Sequence, residues 1–125
     1  MKSISILIPV YRSEKYIKDC FSSVADQDYK GPLECIFVDD CGGDSSIEIL
    51  EGLISSYSGS ISFRIVHNPK NLGVAASRNV CINNAHSEYV YFLDSDDVIP
   101  PDCISTLAKP LENQEYDFVI GAHTV

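Results

Sequence analysis

The chain has 125 residues, of which 45% are hydrophobic and 22% charged, and these values predict one globular domain rather than a disordered segment. Nine basic and 18 acidic residues give a net charge of −9, which argues against nucleic-acid binding, because that requires a basic face. No apolar run is long enough to cross a bilayer, and no secretory signal is expected at the N-terminus. Five cysteines without zinc-ligand spacing predict reduced thiols and a cytoplasmic protein.

The first third of the chain alternates between the patterns of strand and helix. Residues 3–9 are rich in β-branched and apolar side chains and end at a proline, so they predict a strand. Residues 14–26 carry apolar side chains at i, i+3, i+4 and i+7, which is the spacing of one helix face. After a Gly-Pro break, residues 33–38 predict a second strand that runs into two aspartates.

The middle of the chain continues this alternation. Asp44 or Ser45 can cap a helix in which apolar residues repeat at helical spacing as far as Tyr57. Residues 61–67 alternate in polarity and predict a third strand. Residues 68–73 contain asparagine, proline and glycine and predict a loop.

A third helix is predicted over residues 74–85 and a fourth strand over residues 89–93. An acidic loop follows that strand and carries Asp94, Asp96 and Asp97. The apolar side chains of the third helix are expected to face the sheet: Val74, Cys81, Ile82 and Ala85.

The last part of the chain predicts a short helix over residues 101–109 and a fifth strand over residues 116–122. Strands that alternate with helices are typical of βαβ units. The expected architecture is therefore an α/β fold with a mostly parallel open sheet and helices on both faces. Residues 1–125 are expected to form a single domain that is truncated at its C-terminus, because the chain stops directly after an apolar segment.

Three predicted strands end in residues whose side chains can bind a ligand or take part in a reaction. Residues 9–12 follow the first strand, Asp39 and Asp40 the second, and residues 94–97 the fourth. Each feature alone is explained by a turn, a helix cap or a solvated acidic loop. Because ligands of open parallel sheets bind beyond the carboxyl ends of the strands, the three together predict one binding crevice.

Asp94 and Asp96 are two residues apart just beyond an extended strand, so their side chains are expected to point to the same side. Such a carboxylate pair suits Mg²⁺ or Mn²⁺, which accepts phosphate oxygens as further ligands. A cation would allow an acidic site to hold a diphosphate. The alternative is a capping cluster for the following helix, which Asp97 and Asp102 fit better. No glycine-rich phosphate loop follows the first strand.

Six segments resemble family 2 glycosyltransferases in order and spacing, from Ser3 to about Pro101. These segments are SILIPVY (5–11), FVDD (37–40), DSS (44–46), NLG (71–73), SRN (77–79) and YFLDSDD (91–97). The resemblance implies the GT-A, Rossmann-like fold and an enzyme of polysaccharide biosynthesis. It implies inverting transfer of a sugar from a nucleotide-diphosphate sugar, with a UDP-sugar preferred, to a hydroxyl of a glycan or lipid-linked acceptor. The expected location is the cytoplasm, with any contact to the inner membrane face made by parts outside this chain.

The resemblance also implies roles for single residues. Tyr11 packs near the base, Asp40 accepts a hydrogen bond from the uracil ring nitrogen, and Arg78 faces the nucleotide. Asp96 is the direct ligand of Mg²⁺ or Mn²⁺, and Asp94 contributes to the same Asp-X-Asp metal motif while lying nearer the ribose. The residues implied in substrate binding are Pro9, Val10, Tyr11, Asp40, Asn71, Arg78, Asp94 and Ser95.

The chain departs from the family pattern at two points. Arg12 stands where the family usually has asparagine, and Cys41 lies in the loop after the second strand. The Cys41 thiol is either a reactive group or, as favoured here, a small apolar filler. The general base of inverting members is expected beyond Val125, because no residue of this chain is assigned to that role.

Two alternative functions remain besides glycosyl transfer. The chain could be a module that binds a nucleotide sugar without turnover. It could also be a receiver-like domain that takes phosphate on an aspartate, although that fold needs its acidic pair after the first strand, whereas the pair here follows the second.

Overall fold

A computed structural model describes residues 1–113. The strands are β1 (Ile4–Val10), β2 (Leu33–Asp39), β3 (Ser62–His67) and β4 (Tyr89–Phe92). The helices are α1 (Ile17–Ala25), α2 (Ser46–Ser56), α3 (Val74–Asn84) and α4 (Cys103–Asn113). The predicted α/β architecture is confirmed, and the predicted strand at 116–122 lies outside the described residues.

All strand pairs of the sheet are parallel, and the strand order is β3-β2-β1-β4. The chain moves outward from β1 through β2 to β3 and then returns, through α3, to place β4 on the opposite side of β1. The direction of winding therefore reverses between β1 and β4. In open parallel sheets such a reversal opens a crevice at the carboxyl ends of the strands.

Helices cover both faces of the sheet, so β1 is apolar almost throughout. On one face, alternate residues of β1 pack against α1, α2 and α4, with Phe21, Phe37 and Phe63 in mutual contact. On the other face, Leu7, Ile36 and Val38 pack against Cys81 of α3. A strand buried on both sides reads as a continuous apolar run, as residues 4–10 do.

Helix α3 faces the sheet with Cys81, as expected, and Ala85 beyond its end packs against the same cluster, but the expectation is wrong for Val74 and Ile82. Ser77 and Cys81 are its buried residues, whereas Val74 is 60% and Ile82 48% exposed. Ser77 and Cys81 are four residues apart and so share one side of the helix. These small side chains let the helix axis approach the sheet closely, and Val74 lies in the first turn.

Helix α4 continues past the predicted end at Lys109 and includes Pro110. Proline removes a backbone donor and usually ends a helix. Here Ala108 and Leu111 are buried against the core, so tertiary packing outweighs the local preference. None of the helices within residues 1–113 has the length and apolar character to cross a membrane.

The start of α2 is capped by Asp44 rather than by its N-cap residue. Ser45 makes no side-chain capping bond, whereas Asp44 Oδ1 accepts a hydrogen bond from the Ser46 N–H at 3.0 Å. Asp44 Oδ2 accepts another from the Glu14 N–H at 3.3 Å. One carboxylate therefore joins the α2 start to the loop after β1.

We expect Asp44→Ala to lower the free energy of unfolding by about 1–2 kcal/mol, because two backbone donors lose their acceptor. Burial raises the pKa of Asp44, but the bonds from Ser46 and Glu14 outweigh it and hold that pKa below its usual value. Urea unfolding at neutral pH measures the loss. Glu51→Ala, an exposed site on the same helix, is the matched control and should change stability by less than about 0.5 kcal/mol. Equal effects of the two changes would contradict the capping role.

Candidate functional site

A cleft of about 560 Å³ lies at the reversal point between β1 and β4. This volume is in the range of small-molecule sites. The cleft is lined by Pro9, Tyr11, Arg12, Ser13, Tyr16, Asp40, Asn71, Gly73, Val74, Ser77, Asp94, Ser95 and Asp96.

Most residues predicted for the site line this cleft, although they come from four separate segments of the chain. Tyr11 follows β1, Asp40 follows β2, Asn71 precedes α3, and Asp94 to Asp96 follow β4. The register explains part of this convergence, because Val10 pairs with Asp39. The residues directly beyond these two strands are therefore neighbours.

Val10 and Arg78 lie elsewhere. The Val10 side chain is 1% exposed and belongs to the hydrophobic core, and Val10 is not among the residues that line this cleft. Its part in substrate binding stays a prediction. The Val10 carbonyl accepts the Asp40 N–H at 3.0 Å. Arg78 stands at the rim, with Nη2 3.9 Å from Asp94 Oδ1 and its guanidinium above the Phe92 ring.

The Asp40 carboxylate is the centre of a hydrogen-bond network that holds residues 68–73. Oδ1 accepts bonds from Asn68 Nδ2 at 3.0 Å and from the Leu72 N–H at 2.7 Å. Oδ2 accepts bonds from Asn71 Nδ2 at 3.2 Å and from the Gly73 N–H at 3.1 Å. Asp40 thus fixes the loop that leads into α3, in addition to facing the cleft.

This network decides the ionisation of Asp40, which is 3% exposed. Burial raises the pKa of the carboxyl, but the donors of Leu72, Asn68 and Gly73 outweigh burial and lower the pKa below the usual value of 3.8. Hydrogen bonds to the charged form of a carboxylate act in this direction. Asp40 is therefore a carboxylate at neutral pH, and its acceptor capacity is largely used within the chain.

Three buried serines connect the loops that follow β1, β2 and β4. Ser13 Oγ and Ser95 Oγ are hydrogen-bonded, and the Ser13 N–H donates to Ser46 Oγ at 2.8 Å. All three serines are buried. These bonds hold the strand tips at fixed separations, which prepares the cleft for a ligand.

The acidic loop gathers Asp94, Asp96 and Asp97, with one carboxylate oxygen of each within 4.8 Å of the others. Asp94 and Asp96 are exposed, whereas Asp97 is buried. Three carboxylates this close favour a cation that relieves their repulsion, and hard oxygen donors suit Mg²⁺ or Mn²⁺. The donor set therefore fits the predicted metal, and Asp97 joins it although the sequence favoured a capping role for that residue.

Sequence reasoning placed Arg12 in the predicted crevice but assigned it no role, and it missed several other residues of the cleft: Ser13, Tyr16, Gly73, Val74 and Ser77. The signal for Gly73 was present, since a glycine before a helix suggests a special backbone angle, and its φ is 93°. The serines carried no signal, because serine is common in loops and at helix starts.

Cys41 is exposed rather than packed as a filler. Its Sγ donates to the Asn68 carbonyl at 3.3 Å. Desolvation, followed by the Asp39 and Asp40 carboxylates, raises the pKa of the thiol. At neutral pH the sulfur is therefore a thiol and a weak nucleophile, which argues against the reactive role.

Comparison of the sequence with known proteins leads to the same family that its motifs resemble. The model of glycosyl transferase family 2 matches residues 5–125. Glycosyltransferase GlyG of Streptococcus pneumoniae serotype 4 (strain TIGR4) is 32% identical over 118 residues, which are 94% of this chain and 38% of that protein. Poly(ribitol-phosphate) β-N-acetylglucosaminyltransferase TarS of Staphylococcus aureus (strain Mu50) is 32% identical over 122 residues, which are 96% of this chain and 21% of that protein. The chain thus spans well under half the length of these relatives.

Solved structures share the architecture. S. aureus TarS 1–349 in complex with UDP-GlcNAc has a TM-score of 0.78 and 32% identity, and the match covers 88% of this chain and 31% of that chain. The mannosyltransferase PcManGT from Pyrobaculum calidifontis has a TM-score of 0.75 at 21% identity, with 87% and 33% covered, and so shares the fold. The expected GT-A fold is thereby confirmed. Because the family match extends over nearly the whole chain and the sheet and cleft agree with it, the chain belongs to glycosyl transferase family 2.

Proposed function

We propose that this chain is the donor-binding part of a glycosyltransferase that uses a nucleotide-diphosphate sugar, with a UDP-sugar preferred. The observation that carries the proposal is the convergence of Tyr11, Asp40 and the acidic loop on one cleft at the sheet reversal. TarS, which is 32% identical, has been solved with UDP-GlcNAc, and this supports uridine as the nucleoside.

The acidic lining of the cleft explains why a cation belongs to the proposal. Asp40, Asp94 and Asp96 face the cleft, so a diphosphate alone would be repelled. We assign Mg²⁺ or Mn²⁺ to Asp96 and Asp94, with Asp97 beside them. When bound, the ion would neutralise charge on the diphosphate leaving group.

The chain's own residues then bind and orient the donor. Tyr11 remains 46% exposed and offers its ring to the base, next to the wall formed by Pro9 and Asn71. The hydrogen bonds of Asp40 hold that wall rigid. A hydrogen bond from a ring nitrogen of the base would go to an Asp40 carboxylate oxygen that already accepts bonds from residues 68–73. Arg78, close to Asp94 at the rim, faces the ribose and phosphates, with Ser95 nearby.

For the reaction we propose inversion at the anomeric carbon. The acceptor hydroxyl, on a glycan or a lipid-linked acceptor, forms a bond to that carbon from the face opposite the diphosphate. The bond from the carbon to the phosphate oxygen breaks, the nucleoside diphosphate leaves with the electron pair, and the hydroxyl proton passes to a carboxylate base. We place this base outside the chain, because Asp40 is engaged in its network and the acidic loop is assigned to the cation.

Donor binding is tested by calorimetry and thermal melting of this chain with UDP, with and without Mn²⁺. We expect UDP to raise the melting temperature only when Mn²⁺ is present, by roughly 10 °C at a hundredfold excess over the dissociation constant, because that excess stabilises the fold by about 2.7 kcal/mol. GDP and dTDP are expected to have smaller effects. The proposal fails if none of these nucleotides shifts the melting temperature with either Mn²⁺ or Mg²⁺.

The alternative of a module that binds without turnover is separated by a second measurement. Release of UDP from a UDP-sugar, or transfer to an added acceptor, would show that the chain turns over its donor. Binding without either would favour the module. The receiver-like alternative is excluded by the family match.

A further inference from the structure

Arg12, in the loop after β1, adopts a backbone conformation that does not suit arginine. Its φ is 52°, and Cys41 is the other residue besides glycine with a positive φ among residues 1–113. This left-handed region is disfavoured for residues with long side chains and tolerated best by glycine and asparagine. Such outliers cluster at active sites and ligand-binding sites.

The Arg12 side chain is held in place on two sides. Nε donates to the Gly42 carbonyl at 3.0 Å, which ties the guanidinium to the loop after β2. The guanidinium carbon lies 5.1 Å from the centroid of the Tyr11 ring, which is in the range of cation–π contacts. A Cβ atom at Gly42 would lie 2.7 Å from the backbone nitrogen of Arg12, so the two loops are in close contact.

The outer part of the guanidinium is available to a ligand. Within residues 1–113, no group accepts a hydrogen bond from the two terminal nitrogens of Arg12. Four N–H donors therefore remain for a ligand. Arg12 is also the one basic residue in the described lining of the main cleft, and it separates this cleft from a second one of about 390 Å³ beside Asp44.

The position of Arg12 along the sheet edge indicates which part of a ligand it meets. The strand tips follow the order β2, β1, β4. Arg12 leans towards β2 through Gly42, whereas the acidic cluster follows β4 on the other side. A donor whose diphosphate lies at the acidic cluster therefore extends its base towards Arg12.

We propose that Arg12 selects the nucleobase by donating hydrogen bonds to a ring carbonyl oxygen of the base that packs on Tyr11. This proposal rests on the proposed function. The guanidinium carbon lies over the Tyr11 ring, 5.1 Å from its centroid. A base that packs against Tyr11 is therefore within reach of the terminal N–H donors of Arg12. The carbonyl oxygen at ring position 4 of uracil accepts these bonds, whereas the amino group at the corresponding position of cytosine or adenine leaves them unpaired.

The test is calorimetry of this chain with UDP, CDP and ADP in the presence of Mg²⁺, for the wild type and for Arg12→Asn and Arg12→Lys. We expect the wild type to bind UDP at least about tenfold more tightly than ADP, within the range of bidentate base discrimination. Asparagine tolerates the positive φ, so Arg12→Asn should fold at least as well as the wild type. It should reduce the UDP-to-ADP preference to less than about threefold, mainly by weakening UDP binding.

Arg12→Lys separates charge from geometry, because lysine keeps the charge but lacks the planar fork. We expect it to lose base preference as well. Lys18→Met, which removes a positive charge on exposed α1 surface, should keep the preference. A uniform loss for all three nucleotides would assign Arg12 to the phosphates and overturn the proposal, as would an unchanged preference in Arg12→Asn. If the wild type binds no nucleotide, the proposed function itself fails.

Discussion

Asp96→Asn is expected to weaken Mn²⁺-dependent binding of UDP by about 100-fold or more, since loss of a direct metal ligand costs at least as much as loss of its supporting contacts. Asp96 is exposed and belongs to the three-carboxylate cluster. Asparagine keeps the shape of the side chain but removes the negative charge that offsets the cation. Calorimetry with UDP, at fixed and varied Mn²⁺, measures the change.

The neighbouring acids provide the comparison. Asp97 is buried, so it is less accessible to an ion shared with a diphosphate, and we expect Asp97→Asn to lose clearly less affinity than Asp96→Asn. Asp102→Asn, an exposed acid outside the cluster, should bind like the wild type. Equal losses at Asp96 and Asp97 would refute the assignment of Asp96 as the principal ligand. Melting curves without ligand show whether each variant is folded.

Asp40→Ala is expected to lower the free energy of unfolding by about 3–5 kcal/mol, because one buried and three partly buried hydrogen bonds to a charged acceptor are lost at once. This is a large share of the roughly 5–15 kcal/mol that stabilises a typical domain. The donors left unpaired come from Asn68, Asn71, Leu72 and Gly73. The loop before α3 should then become mobile, and urea unfolding with hydrogen exchange of residues 68–73 reports both effects.

The same carboxylate makes stability depend on pH in a defined direction. Although burial raises the pKa of Asp40, its hydrogen bonds lower it below 3.8 overall, so the unfolded chain binds the proton more readily. The stabilisation is therefore complete above the unfolded pKa and is lost as pH falls through the folded pKa. Asp40→Asn, which cannot titrate, should show a shallower loss of stability at acidic pH.

Two outcomes would contradict this account of Asp40. One is a loss of less than about 1 kcal/mol in Asp40→Ala, the size expected for a single exposed hydrogen bond. The other is an acid-unfolding slope of Asp40→Asn equal to that of the wild type. Asp19→Ala, an exposed acid on α1, serves as the control for the removal of one negative charge.

Local sequence was sufficient to predict the order and type of the elements. The patterns that predict these elements extend over only a few neighbouring residues. They are the β-branched runs at residues 4–10 and 33–39 and the helical spacing of Ile17, Cys20, Phe21 and Val24. The motifs at the strand ends were equally visible, because in a parallel sheet all those ends meet at one edge. The strand β4 and the helices α2 and α3 were predicted to within a few residues for the same reason.

Contacts between distant parts of the chain decided the rest. The four bonds of Asp40 come from residues 28 to 33 positions away, and Ser13 meets Ser95 across 82 positions, distances over which no periodicity carries information. The outward orientation of Val74 and Ile82, the continuation of α4 through Pro110, and the entry of Asp97 into the acidic cluster depend likewise on what packs nearby. Sequence alone thus determined which groups stand at the strand ends, and only tertiary packing, which joins residues remote along the chain, determined how those groups are held and which of them meet.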